Sequence, residues 1–334
     1  MKDTDSALKK RSKRHSIKLE FQENEFLPFL YGHHNSNLSA IEQALDVSLD
    51  SFGNIIKITG TKDNTSTAKM TIEALYKRIV NTSNSDRDIS TTMVKDALRW
   101  AAEASNDGMK AFANSDGALD TWRKVVTPKS AGQQGYIKAL ASHDVVFGLG
   151  PAGTGKTYLA VAKAVEALKA KRVERIVLSR PAVEAGERLG FLPGDMKEKV
   201  DPYLRPLYDS LYDMMPPEMV DRMLASGQIE IAPLAFMRGR TLAQSYVIID
   251  EAQNTTPVQM KMVLTRLGDD SRMVITGDLS QVDLPSGQKS GLDDAVSILE
   301  DVKGVGIIRL KGSDVVRHPV VARILTAYEK RDES

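Results

Sequence analysis

From about residue 133 onward, short apolar runs alternate with longer stretches of helical periodicity. Candidate strands lie at 144–149, 175–179, 229–232, 246–249, 273–276 and 305–310. Each is short and rich in Val, Ile and Leu, the pattern of a strand buried on both faces. Strands separated by helices predict an α/β fold with a parallel sheet, and in such sheets ligands bind beyond the carboxyl ends of the strands. The first part of the chain carries a different rhythm. Residues 16–21 alternate and predict a strand. Residues 37–45 put Leu38, Ile41, Ala44 and Leu45 on one helical face. Residues 46–50 alternate again, 51–54 offer turn chemistry, and 55–59 complete a hairpin. Residues 65–80 form a second amphipathic helix with Ala68, Ile72, Leu75 and Ile79 inward.

Four regions follow from this pattern. Residues 1–16 are expected to be a disordered basic tail, with Lys9, Lys10, Arg11, Lys13 and Arg14 close together. Residues 17–80 form a small α/β domain. Residues 81–130 form a connector, with a polar stretch at 81–86 and a helix at 89–104. Its second half is polar and glycine-containing, with Trp122, Val125 and Val126 as anchors expected to wrap onto the next domain. Residues 131–330 form the large α/β domain. No internal repeat is visible.

Composition narrows the class without naming it. The chain has 334 residues, of which 42% are hydrophobic and 27% charged, the balance of an ordinary globular protein. No apolar run is long enough to span a bilayer, and the N-terminus lacks the apolar stretch of a secretory signal. No cysteine is present, which excludes disulfides and thiolate metal sites and fits a cytoplasmic protein. The net charge of +1 gives no electrostatic reason to expect a nucleic-acid partner, so any such case must be local.

The most specific stretch is Gly150-Pro151-Ala152-Gly153-Thr154-Gly155-Lys156-Thr157, followed by Tyr158. It fills the P-loop template G-x-x-x-x-G-K-[ST] between a predicted strand and a predicted helix, the context that motif requires. Its glycines let successive backbone N–H groups converge on an anion, and the helix behind adds its positive end. Lys156 then reaches the β/γ-phosphates of ATP, and the Thr157 hydroxyl ligates Mg²⁺. About a hundred residues later, 246–249 end in Asp250 and Glu251, the pattern of a Walker B strand. Asp250 is expected beside the Mg²⁺ shell, and Glu251 is expected to orient or deprotonate the attacking water. The segment 276–281 follows the next strand; in it Gln281, supported by Asp278, is expected to sense the γ-phosphate. Gln133 precedes the first strand, and its amide could pair with the adenine edge or lie at a helix start. Arg180, Arg238, Arg240 and Arg317 are candidates to offset charge on the transferred phosphoryl group, with Arg317 favoured because it follows the last strand. The five histidines are too scattered to form a metal cluster, and His318, before Pro319, reads as structural.

Together these segments resemble the PhoH-like ATPase family, from about Gln133 to Tyr328. The resemblance is carried by GPAGTGKTYLAVA at 150–162, the long block at 179–209, APLAFMRGRTL at 232–242, IIDEAQNT at 248–255, ITGDLSQVDLP at 275–285 and VVRHPVVARI at 315–324. The 179–209 block discriminates, because a generic helicase would not carry it. The resemblance implies a RecA-like P-loop NTPase core related to superfamily 1 helicases, hydrolysing ATP with Mg²⁺. It also implies a ring-shaped oligomer, a hexamer, and work in RNA metabolism with single-stranded RNA and an endoribonuclease of the YbeY type. The strand–helix–hairpin–helix order of 17–80 resembles a KH module, although Gly32-His33-His34-Asn35 lacks the second glycine of the G-x-x-G clamp. One RecA-like core per chain means that strand separation would require neighbouring subunits. Two other functions fit the same motifs: a nucleotide-switched module that regulates a partner ribonuclease without unwinding RNA, and a small-molecule kinase. Glu251 and the 277–281 pattern argue against the kinase.

Overall fold

Residues 15–82, 87–103, 106–181, 196–285, 287–316, 320, 321 and 324 are described by a computed structural model. Side chains at 103, 106–108 and 196–203 fall outside that description. The basic tail expected at 1–16 lies outside the described residues up to position 14, and the first strand begins at His15.

Two units emerge. The first comprises residues up to 116 with 129–131. Its strands β1 (His15–Glu20), β2 (Ser48–Phe52) and β3 (Ile55–Gly60) form an antiparallel sheet of order β1-β3-β2. Helices α2 (Ser36–Leu45) and α3 (Lys62–Asn81) stand where the periodicity predicts them, and a short helix, α1 (Leu27–Tyr31), that it does not predict precedes α2. Two further helices, α4 (Thr91–Glu103) and α5 (Asn106–Ala113), belong to this unit's core. Val94, Ala97, Trp100, Met109 and Phe112 are buried there with Ile41, Ile72 and Leu75. Residues expected as a connector thus contribute apolar surface to the first core.

The second unit comprises 117–128 and everything from Gly132 on. A small hairpin, β4 (Leu119–Asp120) and β5 (Val125–Val126), buries Leu119 and Val126 in this unit's core, with Trp122 packed against it. After α6 (Ala131–Ser142) come β6 (Val145–Leu149), α7 (Lys156–Lys169), β7 (Arg175–Arg180), α8 (Met196–Met214), α9 (Pro217–Ala225), β8 (Ile229–Pro233), β9 (Ser245–Ile249), α10 (Pro257–Leu264), β10 (Arg272–Gly277), α11 (Gly291–Leu299) and β11 (Val305–Arg309). The six strands from β6 to β11, omitting none of those expected, form one parallel sheet of order β11-β6-β10-β9-β7-β8.

Side chains of a strand alternate between faces, and each face of this sheet has its own core. Val146, Ile176, Leu178, Tyr246, Ile248 and Val274 face one side. Phe147, Leu149, Val177, Val247, Ile249, Met273 and Ile275 face the other. Fully burying such a side chain contributes roughly 1.5–3 kcal/mol. That double burial explains why the central strands read as unbroken apolar runs, and it fixes their carboxyl ends as a firm edge. Among the described residues, no helix is long and apolar enough to cross a membrane.

Candidate functional site

The segment 150–157 leaves β6 and turns into α7. Gly150 has φ +145°, and a Cβ there would lie 2.5 Å from the Leu310 carbonyl oxygen, so only glycine lets the loop pass β11 this closely. Gly155 occupies the N-cap of α7 and has no side chain to bond the first-turn N–H groups. Those donors stay available to an anion, and the helix dipole favours negative charge there. Lys156 Nζ donates to the Gly150 and Pro151 carbonyls at 2.5 and 2.9 Å, spanning the loop. Burial pushes its pKa below the ordinary lysine value, while the carboxylates of Asp278, Asp250 and Glu251 pull it back up.

β10 separates the P-loop strand β6 from β9, the strand that Asp250 follows. Two inter-strand steps put β6 and β9 roughly 10 Å apart, and two threonines help span that gap. Thr157 Oγ1 donates to Asp250 Oδ1 at 2.5 Å, and Thr276 Oγ1, from β10, donates to the same oxygen at 2.7 Å. Asp250 is 5% exposed and its backbone N–H bonds the Ser179 carbonyl at 2.8 Å. Glu251 follows in the left-handed region, φ +52°. Its two carboxylate oxygens face different partners: Arg180 Nη2 at 3.2 Å from Oε1, and Gln253 Nε2, which donates to Oε2 at 2.5 Å.

One cavity of about 350 Å³ opens here, and its walls include Gly153, Gly155, Lys156, Thr157, Tyr158 and Arg180. Asp250, Glu251, Asp278 and Gln281 complete its polar wall, and Pro206 and Ser210 of α8 also line it. Tyr158 donates its hydroxyl to Asp213 at 2.8 Å, on the same helix α8. The 277–281 loop is a tight turn: Ser280 N and Oγ donate to Asp278 Oδ1 at 3.0 and 2.6 Å, and Gln281 N donates to the Asp278 carbonyl at 3.0 Å.

The remaining candidate residues fall in different places. Gln133 lies in the first turn of α6, the helix start that is one of its two expected places; it is 3% exposed and donates to the Thr154 carbonyl at 3.0 Å, bracing the P-loop. Of the candidate arginines, Arg180 lines the cavity, whereas Arg240 is held in a bidentate pair with Glu230 at 2.6 and 2.7 Å and Arg238 is absent from the cavity wall. Arg317 lies outside the described residues, although its neighbour Val316 donates its N–H to the Gly153 carbonyl at 2.9 Å. Residues 182–195 of the 179–209 block also lie outside them; its first three residues and the start of α8 are described. Gln253 was visible in the sequence only as the fourth letter of Asp-Glu-Ala-Gln, with no sign of its bonding role.

The site's architecture agrees with the comparisons to known proteins. A family model described as PhoH-like protein matches residues 125–329. The PhoH-like protein of Mycobacterium tuberculosis (strain ATCC 25618 / H37Rv) is 47% identical over 304 residues, covering 91% of this chain and 85% of its own. That of Bacillus subtilis (strain 168) is 48% identical over 303 residues, 91% of this chain and 94% of its own. Protein PhoH of Escherichia coli (strain K12) is 44% identical over 223 residues, 66% of this chain and 62% of its own. With a P-loop at the carboxyl edge of a six-stranded parallel sheet and these relatives spanning most of its length, the chain belongs to the PhoH-like protein family and has a P-loop NTPase core.

Proposed function

We propose that this protein is a Mg²⁺-dependent ATP hydrolase. One observation carries the reading: the P-loop, the Asp250 corner and the Glu251 carboxylate open into a single cavity. The triphosphate lies against the N–H groups of 153–157, and Lys156 exchanges its bonds to the Gly150 and Pro151 carbonyls for β/γ-phosphate oxygens. Thr157 and Asp250 offer hard oxygen donors in a buried corner, which suits Mg²⁺. When bound there with the nucleotide phosphates, that ion supplies positive charge against the oxygens of the transferred phosphoryl group. Glu251, at the rim, orients the attacking water and accepts its proton. Arg180, Asp278 and Gln281 face the same space and offset or read the charge at the terminal phosphate.

The test is phosphate release by purified protein with ATP and Mg²⁺, compared with Glu251→Gln. Removing a positioned general base costs roughly 10²–10⁴-fold, so turnover should collapse while nucleotide affinity stays within a few-fold. Equal turnover in the two proteins would refute the assignment of Glu251.

The finer reading is an RNA-associated ATPase working as a ring of identical subunits, with single-stranded RNA and a partner endoribonuclease. Its support is the order of the first unit, β1-α1-α2-β2-β3-α3, in which Gly32–Asn35 lies between α1 and α2 as a backbone clamp would. Single-stranded RNA should raise the turnover rate several-fold, and an unchanged rate counts against RNA as the partner.

A further inference from the structure

Gln253 is 1% exposed, and its side-chain amide is used at both ends. Nε2 donates to Glu251 Oε2 at 2.5 Å, while Oε1 accepts the Asp278 backbone N–H at 3.1 Å. Turning the amide over would set its oxygen against a carboxylate and its NH₂ against an N–H donor, so these partners fix its orientation. Its backbone is held as well, because Ser290 Oγ donates to the Gln253 carbonyl at 2.8 Å. A second tie runs parallel to it: Asn254 Oδ1 accepts the Asp283 N–H at 2.8 Å. Gly277 makes the close approach possible, since a Cβ there would stand 2.8 Å from Gln253 Oε1.

A buried glutamine kept only for packing would need its polar atoms satisfied by any available group. This one joins two segments that both line the cavity, and joins them at informative atoms. Asp278 N–H begins the tight turn that ends at Gln281, so a shift of that turn is delivered to Gln253 Oε1. On its other side the same planar amide holds Glu251, whose remaining oxygen faces Arg180. An amide is rigid, and movement at one end must appear at the other.

We propose that Gln253 is a positioning residue that couples the 277–281 turn to Glu251, so that the carboxylate is aimed at water only when that turn is seated against the terminal phosphate. The inference rests on the hydrolase reading and adds a mechanical link to it.

Two variants separate this link from packing. Gln253→Glu keeps the size of the side chain and an acceptor for the Asp278 N–H but replaces the amide donor by a second carboxyl group against Glu251. Gln253→Ala loses both. Steady-state phosphate release and titration with a fluorescent ATP analogue should show kcat reduced at least tenfold in both, with KM and analogue Kd within threefold of wild type. Combining Gln253→Ala with Gln281→Ala should slow the enzyme no further than the slower single variant, because both changes cut one link. The proposal is overturned if kcat stays within threefold, if the two losses multiply, or if Kd rises and the thermal midpoint falls together with the loss of kcat. Should Gln253→Ala not fold, Gln253→Glu decides. Wild-type protein that releases no phosphate removes the hydrolase reading and this link with it, whereas normal turnover that ignores Gln253 removes the link alone.

Discussion

Replacing Lys156 with alanine tests the phosphate cradle. In the free protein the ammonium donates to the Gly150 and Pro151 carbonyls at 2.5 and 2.9 Å. It is buried near Asp250, Glu251 and Asp278, whose carboxylates favour its charge. A hydrogen bond to a charged group contributes about 1.5–3 kcal/mol. Binding exchanges carbonyl partners for phosphate oxygens, so the net contribution belongs within that range and not above it. Removing the cation also withdraws one positive charge from among three carboxylates that face a strongly anionic ligand. The expected loss of about 1.5–3 kcal/mol weakens ATP binding roughly 10- to 150-fold. Titration of a fluorescent ATP analogue at fixed ionic strength and Mg²⁺ reads this directly. Binding of adenosine, which lacks the phosphates, should be unchanged. A Kd for the ATP analogue within threefold of wild type, or an equal loss for adenosine, would refute the placement of Lys156 on the phosphates.

Thr157→Val keeps the shape of the side chain and removes the hydroxyl that bonds Asp250; the Mg²⁺ concentration for half-maximal turnover should rise at least tenfold, while Mg²⁺-free nucleotide binding changes less than threefold. Gly277→Ala puts a Cβ 2.4 Å from Leu292 Cδ2 and 2.8 Å from Gln253 Oε1. Leu292 is fully buried, so overpacking of about 1–3 kcal/mol should lower the thermal midpoint, and an unchanged midpoint would contradict that crowding. The bidentate bond from Arg240 holds the Glu230 carboxyl below its ordinary pKa of 4.5. A depressed carboxylate contributes stability above its unfolded pKa and loses it as pH falls through the folded one. Arg240→Met should therefore destabilise the protein at pH 7 by about 0.5–1 kcal/mol, a difference that shrinks below the ordinary glutamate pKa; a difference that persists in acid would show another origin.

The elements written plainly in the sequence are those with a single strong cause. Each central strand buries both faces, as Val247 and Ile248 do on opposite cores, and nothing else in a chain this polar makes such runs. The P-loop and the Asp250-Glu251 pair are legible because phosphate chemistry restricts the residue types that serve. Helix α5 was missed because Asn106, Asp107 and Gly108 open it, leaving only the spacing of Met109 and Phe112 to signal burial. Helix α8 carries Pro202 and Pro206 inside its span, residues that ordinarily break helices, although Leu204, Leu207 and Leu211 keep a helical period and are buried. Gln133 and Gln253 were ambiguous for another reason. An amide offers a donor and an acceptor to whatever stands nearby, and its neighbours Thr154 and Asp278 are 21 and 25 residues away along the chain.

A crystal structure with Mg²⁺ and a non-hydrolysable ATP analogue puts the central claim to its most direct test. It should show the triphosphate against the N–H groups of 153–157, Mg²⁺ at about 2.0–2.1 Å from the Thr157 hydroxyl, and a water held between the terminal phosphorus and Glu251. An analogue bound elsewhere, or a terminal phosphate walled off from Glu251, would contradict it.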